Sequence, residues 1–182
     1  MGRLIVLMGP TGAGKSVQGD LLAEKYGAVH FSSGKLLRQN PEVAAQMTDG
    51  RLAPAYEVER IIGEAIREVP KDDMVVLDGF PRTASNVRWM EEELPKLERR
   101  LRVVVLINLD IETSLKRLGL RGRADDAPKA IRAKFKLFDE VTRPVAEHYR
   151  ELGLLAEVDG RGSIEEVHQQ IVAVLEKEAL IS

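Results

Sequence analysis

The stretch Gly9-Pro-Thr-Gly-Ala-Gly-Lys15-Ser16 decides the fold. The apolar run from Leu4 to Met8 precedes it and a helical pattern from Val17 to Tyr26 follows, so the segment is a glycine-rich turn between a strand and a helix. Glycines let such a turn curl until successive N–H groups face one point, where the helix adds its positive end. We therefore predict a phosphate-binding loop for a nucleoside triphosphate, in which Lys15 reaches the terminal phosphates and the Ser16 hydroxyl binds Mg²⁺.

Four further apolar runs continue this pattern and alternate with helix-like segments: 29–31, 74–77, 103–108 and 154–158. Continuous apolar runs are typical of strands that are covered on both faces of a parallel sheet. The last helical pattern opens with a capping box, formed by Ser163 and Glu166. The sequence therefore predicts a doubly wound, three-layer α/β fold with a five-stranded parallel sheet.

Two segments interrupt the alternation. The first, at about 32–62, is helical and polar, and the second, at about 115–128, is rich in arginine. We predict that both are small mobile flaps over a site at the strand ends, within a single domain that spans residues 1–182.

Composition limits the function further. The chain has 182 residues and a net charge of -2, which gives no general attraction to nucleic acid or to an anionic membrane. It has no cysteine, which excludes disulfides and zinc–thiolate sites, and its apolar runs fall short of the ~20 residues that span a bilayer. We expect a cytoplasmic monomer that uses Mg²⁺ and no zinc.

Several segments resemble the signature motifs of the adenylate kinases. Asp78-Gly-Phe-Pro-Arg82-Thr83 is identical to the D-G-F-P-R-T signature of that family, and Ser32-Ser-Gly-Lys-Leu-Leu-Arg38 resembles its S-T-G-D-L-L-R segment. Arg121-Gly-Arg-Ala-Asp-Asp126 resembles its R-G-R-x-D-D lid segment, and Thr142-Arg-Pro144 and Asp159-Gly-Arg-Gly-Ser163 match its C-terminal pattern. The resemblance covers nearly the whole chain.

The resemblance implies a P-loop NTPase fold and the reaction MgATP + AMP ⇌ 2 ADP. It assigns catalysis to Lys15, Arg82, Arg121 and Arg123, and Mg²⁺ binding, directly or through water, to Ser16 and Asp78. It assigns ATP binding to Gly9, Gly12, Ala13, Gly14, Lys15, Ser16, Val17, Arg117 and Arg161. It assigns AMP binding to Ser33, Arg38, Gly79, Arg82, Asn86, Arg123 and Lys134. Arginine suits these roles because its planar guanidinium binds phosphate in two places.

The resemblance leaves two alternatives for the base of the acceptor nucleotide. Asn86 stands where adenylate kinases usually carry Gln and where kinases of UMP and CMP carry Asn, and Ser33 replaces the usual Thr. Thr83 is typical of adenylate kinases. We expect AMP as the acceptor, with CMP or UMP as the alternative. A P-loop kinase of another small metabolite and a nucleotide sensor without turnover are the other classes that stay open.

Two lysines also depart from the family pattern. Lys35 stands where an acid is usual, near the metal, and is expected either to pair with Asp78 or to turn outward into solvent. Lys134 replaces an arginine of the lid region. Asp125 and Asp126 are expected to orient the lid arginines or to be ordinary acids of a helix N-terminus. The three histidines have no mutual spacing that suits a metal and are expected to be structural or exposed: His30, His148 and His168. Trp89 and the phenylalanines are expected to serve packing and not as platforms for a base.

Overall fold

The structure is a computed structural model, and it describes residues 1–46, 52–121 and 127–181. Five parallel strands form one sheet in the order β2-β3-β1-β4-β5. Their bounds are β1 Gly2–Met8, β2 Val29–Ser32, β3 Val75–Asp78, β4 Arg99–Asn108 and β5 Leu155–Asp159. The prediction of a five-stranded parallel α/β fold is confirmed.

Helices connect the strands. They are α1 Lys15–Tyr26, α2 Ser33–Arg38, α3 Pro41–Gln46, α4 Ala55–Arg67, α5 Ala84–Glu93, α6 Ile111–Arg121, α7 Pro128–Leu137, α8 Arg143–Glu151 and α9 Ile164–Lys177. A π-helical turn, Phe138–Thr142, joins α7 to α8. The capping box predicted at Ser163 and Glu166 is present and opens α9. None of the helices in the described ranges is long and apolar enough to cross a membrane.

Alternation along β1 shows why the strands are apolar on both sides. Leu4, Val6 and Met8 pack into a core that α4, α5 and α8 cover, whereas Ile5 and Leu7 pack into a second core under α1 and α9. Successive strand residues point to opposite faces, so a sheet with helices on both faces needs apolar residues at every position. These two cores give the three layers.

The predicted start of the fourth strand is wrong by four residues, because β4 begins at Arg99 and not at Val103. Arg99 is only 1% exposed, and its guanidinium donates hydrogen bonds to the carbonyl oxygens of residues 69, 70, 71 and 73. Gly2 makes this possible, since a Cβ at that position would lie 2.4 Å from Arg99 Nη1. A buried arginine is rare unless it is paired, and here both Nη atoms donate to carbonyl oxygens, while Nε has no hydrogen-bond partner among the described residues. The polar sequence therefore gave no sign of a buried strand.

The parallel arrangement places all the carboxyl ends of the strands at one edge of the sheet. The glycine-rich loop follows β1, the segment Asp78-Gly79 ends β3, and the turn at Gly160 follows β5. Ligands of open α/β sheets bind in the crevice outside this edge. The candidate site lies at this carboxyl edge of the sheet.

Candidate active site

The glycine-rich loop has the geometry of an anion cradle. Gly14, with φ of 87°, precedes α1, and the first residue of that helix is Lys15. Lys15 Nζ donates to the carbonyl oxygens of Gly9 and Pro10, at 2.8 Å each, so the ammonium lies folded over the loop. This arrangement brings a positive charge and a helix N-terminus to one point, as the sequence predicted.

Helix α6 supports the loop from behind. Ser114 Oγ donates to the carbonyl oxygen of Thr11 at 2.8 Å, and a Cβ on Gly12 would lie 2.7 Å from the same Ser114 Oγ. Gly12 also has a φ of 81°, in the left-handed region that favours glycine. The other predicted residues of the loop, Ala13 and Val17, are buried and exposed respectively.

Ser16 and Asp78 meet at the carboxyl edge. Ser16 Oγ donates to Asp78 Oδ2 at 2.6 Å, and the register of β1 against β3 places Leu7 beside Asp78. A hydroxyl and a carboxylate supply the hard oxygen donors that Mg²⁺ prefers, and Mg²⁺ usually keeps several waters besides one or two protein ligands. The residues present therefore fit the predicted magnesium site.

His30 contacts Asp78 from the other side, which the sequence did not indicate. Its buried ring lies 3.2 Å from Asp78 Oδ2 through Nε2 and 2.8 Å from Asp20 Oδ1 through Nδ1. Gly19 of α1 provides the space, because a Cβ there would lie 2.4 Å from His30 Nε2. The side chain of His30 is buried, and the sequence did not predict its contact with the site. The only signal for it in the sequence is a glycine at a buried position of α1.

These contacts fix the charges around Asp78. Burial works against ionisation of Asp78, but the hydrogen bond with His30, the charge of Lys15 and the hydrogen bond from Ser16 outweigh it and lower the pKa of the carboxyl. Burial likewise works against the charged form of His30, but its hydrogen bonds to Asp78 and Asp20 prevail and raise the pKa of the imidazole. Asp78 is thus held as a carboxylate at the strand end.

Lys35 does not pair with Asp78, and that expectation is wrong. Its Nζ lies 3.3 Å from Asp20 Oδ2, and the side chain is 56% exposed. The carboxylate of Asp78 already contacts Ser16 and His30, so Lys35 reaches only Asp20, which His30 separates from Asp78. Its outward direction matches the second of the two expectations.

A second cluster of cations, Arg38 and Arg82, lies near the segment that follows Asp78. Arg82 Nε donates to the carbonyl oxygen of Gly79 at 2.6 Å, and Ser33 Oγ donates to the same oxygen at 2.8 Å. The pKa of Arg82 is lowered, chiefly by burial and also by the nearby charge of Arg38, although the charge of Asp78 acts in the opposite direction. In the described ranges neither Arg38 nor Arg82 forms an ion pair with a carboxylate. Two arginines that repel each other favour an anion between them.

Asn86 lies beside this cluster on α5. Its side chain is buried, Oδ1 accepts the backbone N–H of Arg82 at 3.2 Å, and Nδ2 donates to Glu59 Oε1 of α4 at 2.8 Å. The Ser33 hydroxyl, which was expected near the same base, is also buried and uses its proton on Gly79. Glu59 belongs to none of the motifs, and no pattern in the sequence marks it.

The residues expected near the ATP base form a third cluster. Arg117 donates to the carbonyl oxygens of Gly160 and Gly162 at 2.8 Å each, and so holds the turn after β5. Arg161 in that turn pairs with Asp159, at 2.7 Å between Nη2 and Oδ2. Arg117 thus lies on α6, the helix that supports the phosphate-binding loop, and Arg161 lies in the turn that Arg117 holds.

The remaining predicted residues belong to the second flap. Lys134 is half-buried on α7, and its role in binding AMP stays a prediction. Arg123, Asp125 and Asp126 lie outside the described residues, as does the side chain of Arg121, which ends α6. The first flap contains α2, α3 and most of α4, so its predicted helical character is confirmed where the structure describes it.

Comparisons with known proteins identify the family. The adenylate kinase family profile matches residues 7–154. An adenylate kinase of Prochlorococcus marinus (strain MIT 9211) is 35% identical over 179 residues, which cover 94% of this chain and 96% of that protein. An adenylate kinase of Nocardia farcinica (strain IFM 10152) is 34% identical, with 94% and 98% covered. An adenylate kinase of Synechococcus sp. (strain WH7803) is 34% identical, with 96% and 100% covered. The chain belongs to the adenylate kinase family.

Proposed function

We propose that this protein transfers the γ-phosphoryl group of MgATP to AMP and so forms two molecules of ADP. The observation that carries the proposal is that two adjacent residues contact two different groups: Asp78 contacts Ser16 of the phosphate-binding loop, and Gly79 contacts Arg82 of the cation pair. A site for the donor phosphates and a site for the acceptor phosphate thus meet at one strand end. The family membership supports the same reaction.

The chemistry needs positioning and positive charge more than it needs covalent help. Arg38 and Arg82 would hold the monophosphate of the acceptor, and Lys15 with the loop N–H groups would hold the terminal phosphates of ATP. An oxygen of the acceptor phosphate forms a bond to the γ-phosphorus while the bond from that phosphorus to the ADP oxygen breaks. The attacking oxygen is already anionic, so no general base is required.

Mg²⁺ would neutralise charge on the β- and γ-phosphates when it is bound, and Ser16 and Asp78 would hold it, directly or through water. The positive groups around the transferred phosphoryl group stabilise the charge that is spread over its oxygens. We assign the same phosphates to Arg121 and Arg123, and the ATP base and the loop around it to Arg117 and Arg161. We assign the AMP side to Ser33, Gly79, Asn86 and Lys134. A cytoplasmic monomer is the proposed form.

A coupled assay of ADP formation tests the proposal. We expect the highest kcat/KM with AMP among AMP, CMP, UMP and GMP, and Asn86→Gln should shift the preference further towards AMP. A higher kcat/KM with CMP or UMP would replace AMP by the pyrimidine alternative, which Asn86 favours. Binding of ATP without formation of ADP from any acceptor would contradict a kinase altogether.

A further inference from the structure

Asn86 and Glu59 together form a fixed polar edge between α4 and α5. The Asn86 amide is oriented by its two contacts, because Oδ1 accepts the N–H of Arg82 and only Nδ2 can then donate to Glu59 Oε1. One hydrogen of Nδ2 is donated to Glu59, and the other has no acceptor among the described residues and is available to a ligand. The pair therefore presents a carboxylate acceptor next to an amide N–H donor.

Packing between the two helices keeps this edge in place. Gly63 lies one turn after Glu59 on α4, and Trp89 lies one turn after Asn86 on α5. Trp89 packs so closely against Gly63 that a Cβ there would lie 3.1 Å from its Cζ2. The Trp89 ring also stacks edge-on against Phe80, at 5.7 Å between centroids, in the D-G-F-P-R-T segment. The polar edge is therefore anchored to the same segment as Arg82.

Glu59 is free to accept a hydrogen bond from a ligand. Its helix neighbours Glu57 and Glu64 both bond to Arg60, at 3.0 Å each. Glu59 is half-buried and, within 1–46, 52–121 and 127–181, has Asn86 as its hydrogen-bond partner and no cation. A half-buried carboxylate with one neutral donor has unused acceptor capacity, which a donor on a ligand would satisfy.

We propose that Glu59 determines specificity in the acceptor site, by accepting a hydrogen bond from the exocyclic amino group of the base while Asn86 Nδ2 donates to the adjacent ring nitrogen. This inference rests on the proposed function. Adenine and cytosine both carry an amino group next to a ring acceptor. Uracil and hypoxanthine carry an oxo group next to a ring N–H, so their oxygen would face the carboxylate. The site thus selects bases by this amino edge, and the substrate class is a nucleoside monophosphate with a 6-amino purine or a 4-amino pyrimidine.

Two pairs of acceptors isolate this edge of the base, because each pair differs only there, with an amino group beside a ring acceptor against an oxo group beside a ring N–H: AMP with IMP, and CMP with UMP. The experiment measures kcat/KM for all four with wild type, Glu59→Gln and a control, Glu64→Gln. We expect wild type to prefer the amino member of each pair by roughly tenfold or more, as for sites that leave buried polar groups unpaired with the wrong substrate. Glu59→Gln should reduce both ratios by roughly tenfold, because a neutral amide can turn its N–H towards an oxo group. Glu64→Gln removes a carboxylate from the same helix and should leave both ratios unchanged.

Equilibrium binding of the four monophosphates, followed by the fluorescence of the single tryptophan, Trp89, separates this inference from the proposed function. Binding that prefers amino bases and loses this preference in Glu59→Gln, without any turnover, would support the inference and contradict the kinase. Turnover with equal ratios in wild type and Glu59→Gln would support the kinase and overturn the inference. Failure of all four to bind wild type would overturn the inference as well. Thermal unfolding of each variant shows whether the fold is retained, and if Glu59→Gln is unfolded, Glu59→Asp, which withdraws the carboxylate by one methylene, must lower the same ratios.

Discussion

The side chain of Arg82 is half-buried, contacts Gly79 and lies near a second cation, Arg38. An arginine in that position stabilises the charge on a transferred phosphoryl group, so Arg82→Ala should lower kcat/KM by on the order of 10²-fold or more. Lys15→Ala should have an effect of similar size, because it removes the charge on the donor side. Arg88→Ala is the control, since Arg88 is an exposed arginine of α5. Near-wild-type kinetics for Arg82→Ala and Lys15→Ala would contradict the proposed roles.

His168 gives a prediction about stability and pH. Its Nδ1 lies 3.0 Å from Gln18 Oε1, so Nδ1 is the donor, and in the described part of the chain Nε2 is buried without a hydrogen-bond partner. Burial, assisted by the charge of Lys25, lowers the pKa of His168 below its usual value of 6.5. Protonation would place a second N–H and a positive charge on the buried Nε2, which has no hydrogen-bond acceptor in the described part of the chain.

The sign of the effect follows from linkage. At His168 the folded state binds fewer protons than the unfolded state below about pH 6.5, so the contribution of this residue to the free energy of unfolding is full above that pH and falls as the pH drops towards its folded pKa. Each unit between the two pKa values is equivalent to about 1.4 kcal/mol. Urea unfolding at about pH 7.5 and 5.5 should show a smaller loss in His168→Gln than in wild type. His148→Gln, which removes an exposed histidine, should keep the wild-type loss, and equal losses in all three proteins would exclude the effect.

Single residues also show where the sequence was informative. Lys15, Ser16, Asp78 and Arg82 lie in contiguous motifs whose chemistry follows from local spacing, and the structure brings them together. His30 and Glu59 lie in no motif, and they reach the site only because β2 lies beside β3 and α4 lies beside α5. Contacts of that kind depend on tertiary packing, which one sequence does not specify.

At the level of elements, helix α1 contains a test of close packing. Gly19→Ala would normally stabilise a helix by about 0.5–1 kcal/mol. Here the added Cβ meets the ring of His30, which Asp20 and Asp78 hold in place, so the substitution should instead destabilise the protein by about 1–3 kcal/mol. Gly119→Ala on α6 is the matched control, because a Cβ there has nothing within 4 Å. Urea unfolding should show the two substitutions acting in opposite directions, and a stabilised Gly19→Ala would disprove the steric argument.

The ends of the elements were harder to predict than their existence. Each of the five apolar runs is a strand, because burial on both faces leaves a continuous apolar signal. The run at 103–108 is only part of β4, since Arg99 and Arg100 are polar residues that pair with β1 at the amino edge, and Arg102 lies at a shift in the register. Charge at a strand end is compatible with a sheet when carbonyl groups or solvent receive it, and the sequence pattern does not show which carbonyls are near.

For the whole molecule, we expect the two flaps to approach each other when both substrates bind. Transfer of a phosphoryl group to AMP requires that water be excluded, and closing segments do this in many enzymes. The chain has no cysteine, so Tyr56→Cys with Leu120→Cys gives one clean pair of labels on exposed positions of α4 and α6. The distance between these two labels should shorten when a two-substrate analogue binds. The distance between labels in the control pair, Leu152→Cys with Ile164→Cys, should not change, because both positions lie outside the flaps. An unchanged separation of the first pair at saturation would count against closure.

The architecture of the whole chain could be predicted from the sequence, whereas the acceptor could not. The order of strand, loop and helix, together with the alternation of patterns, was enough for a parallel sheet with its site at the carboxyl edge. Choice of the base depends on how Asn86 is oriented, and that orientation comes from Arg82 and Glu59 on either side of it. The identity of residue 86 alone therefore left two classes of substrate open.

The buried guanidinium of Arg99 has a consequence for amide hydrogen exchange. It ties the carbonyl groups of residues 69, 70, 71 and 73 to the first residue of β4, at the edge of the sheet opposite the candidate active site. Residues 69–73 cannot detach alone, because this would leave a buried cation without acceptors. The amides of Val69 and Asp73, whose N–H groups are bonded to the carbonyl oxygens of Ile66 and Pro70, should exchange only through the largest openings of the molecule, together with those of the central strands, while the turn at Gly160–Gly162 opens in smaller units. The amino edge of the sheet should therefore exchange slowly, and the carboxyl edge, which carries the candidate active site, should exchange faster.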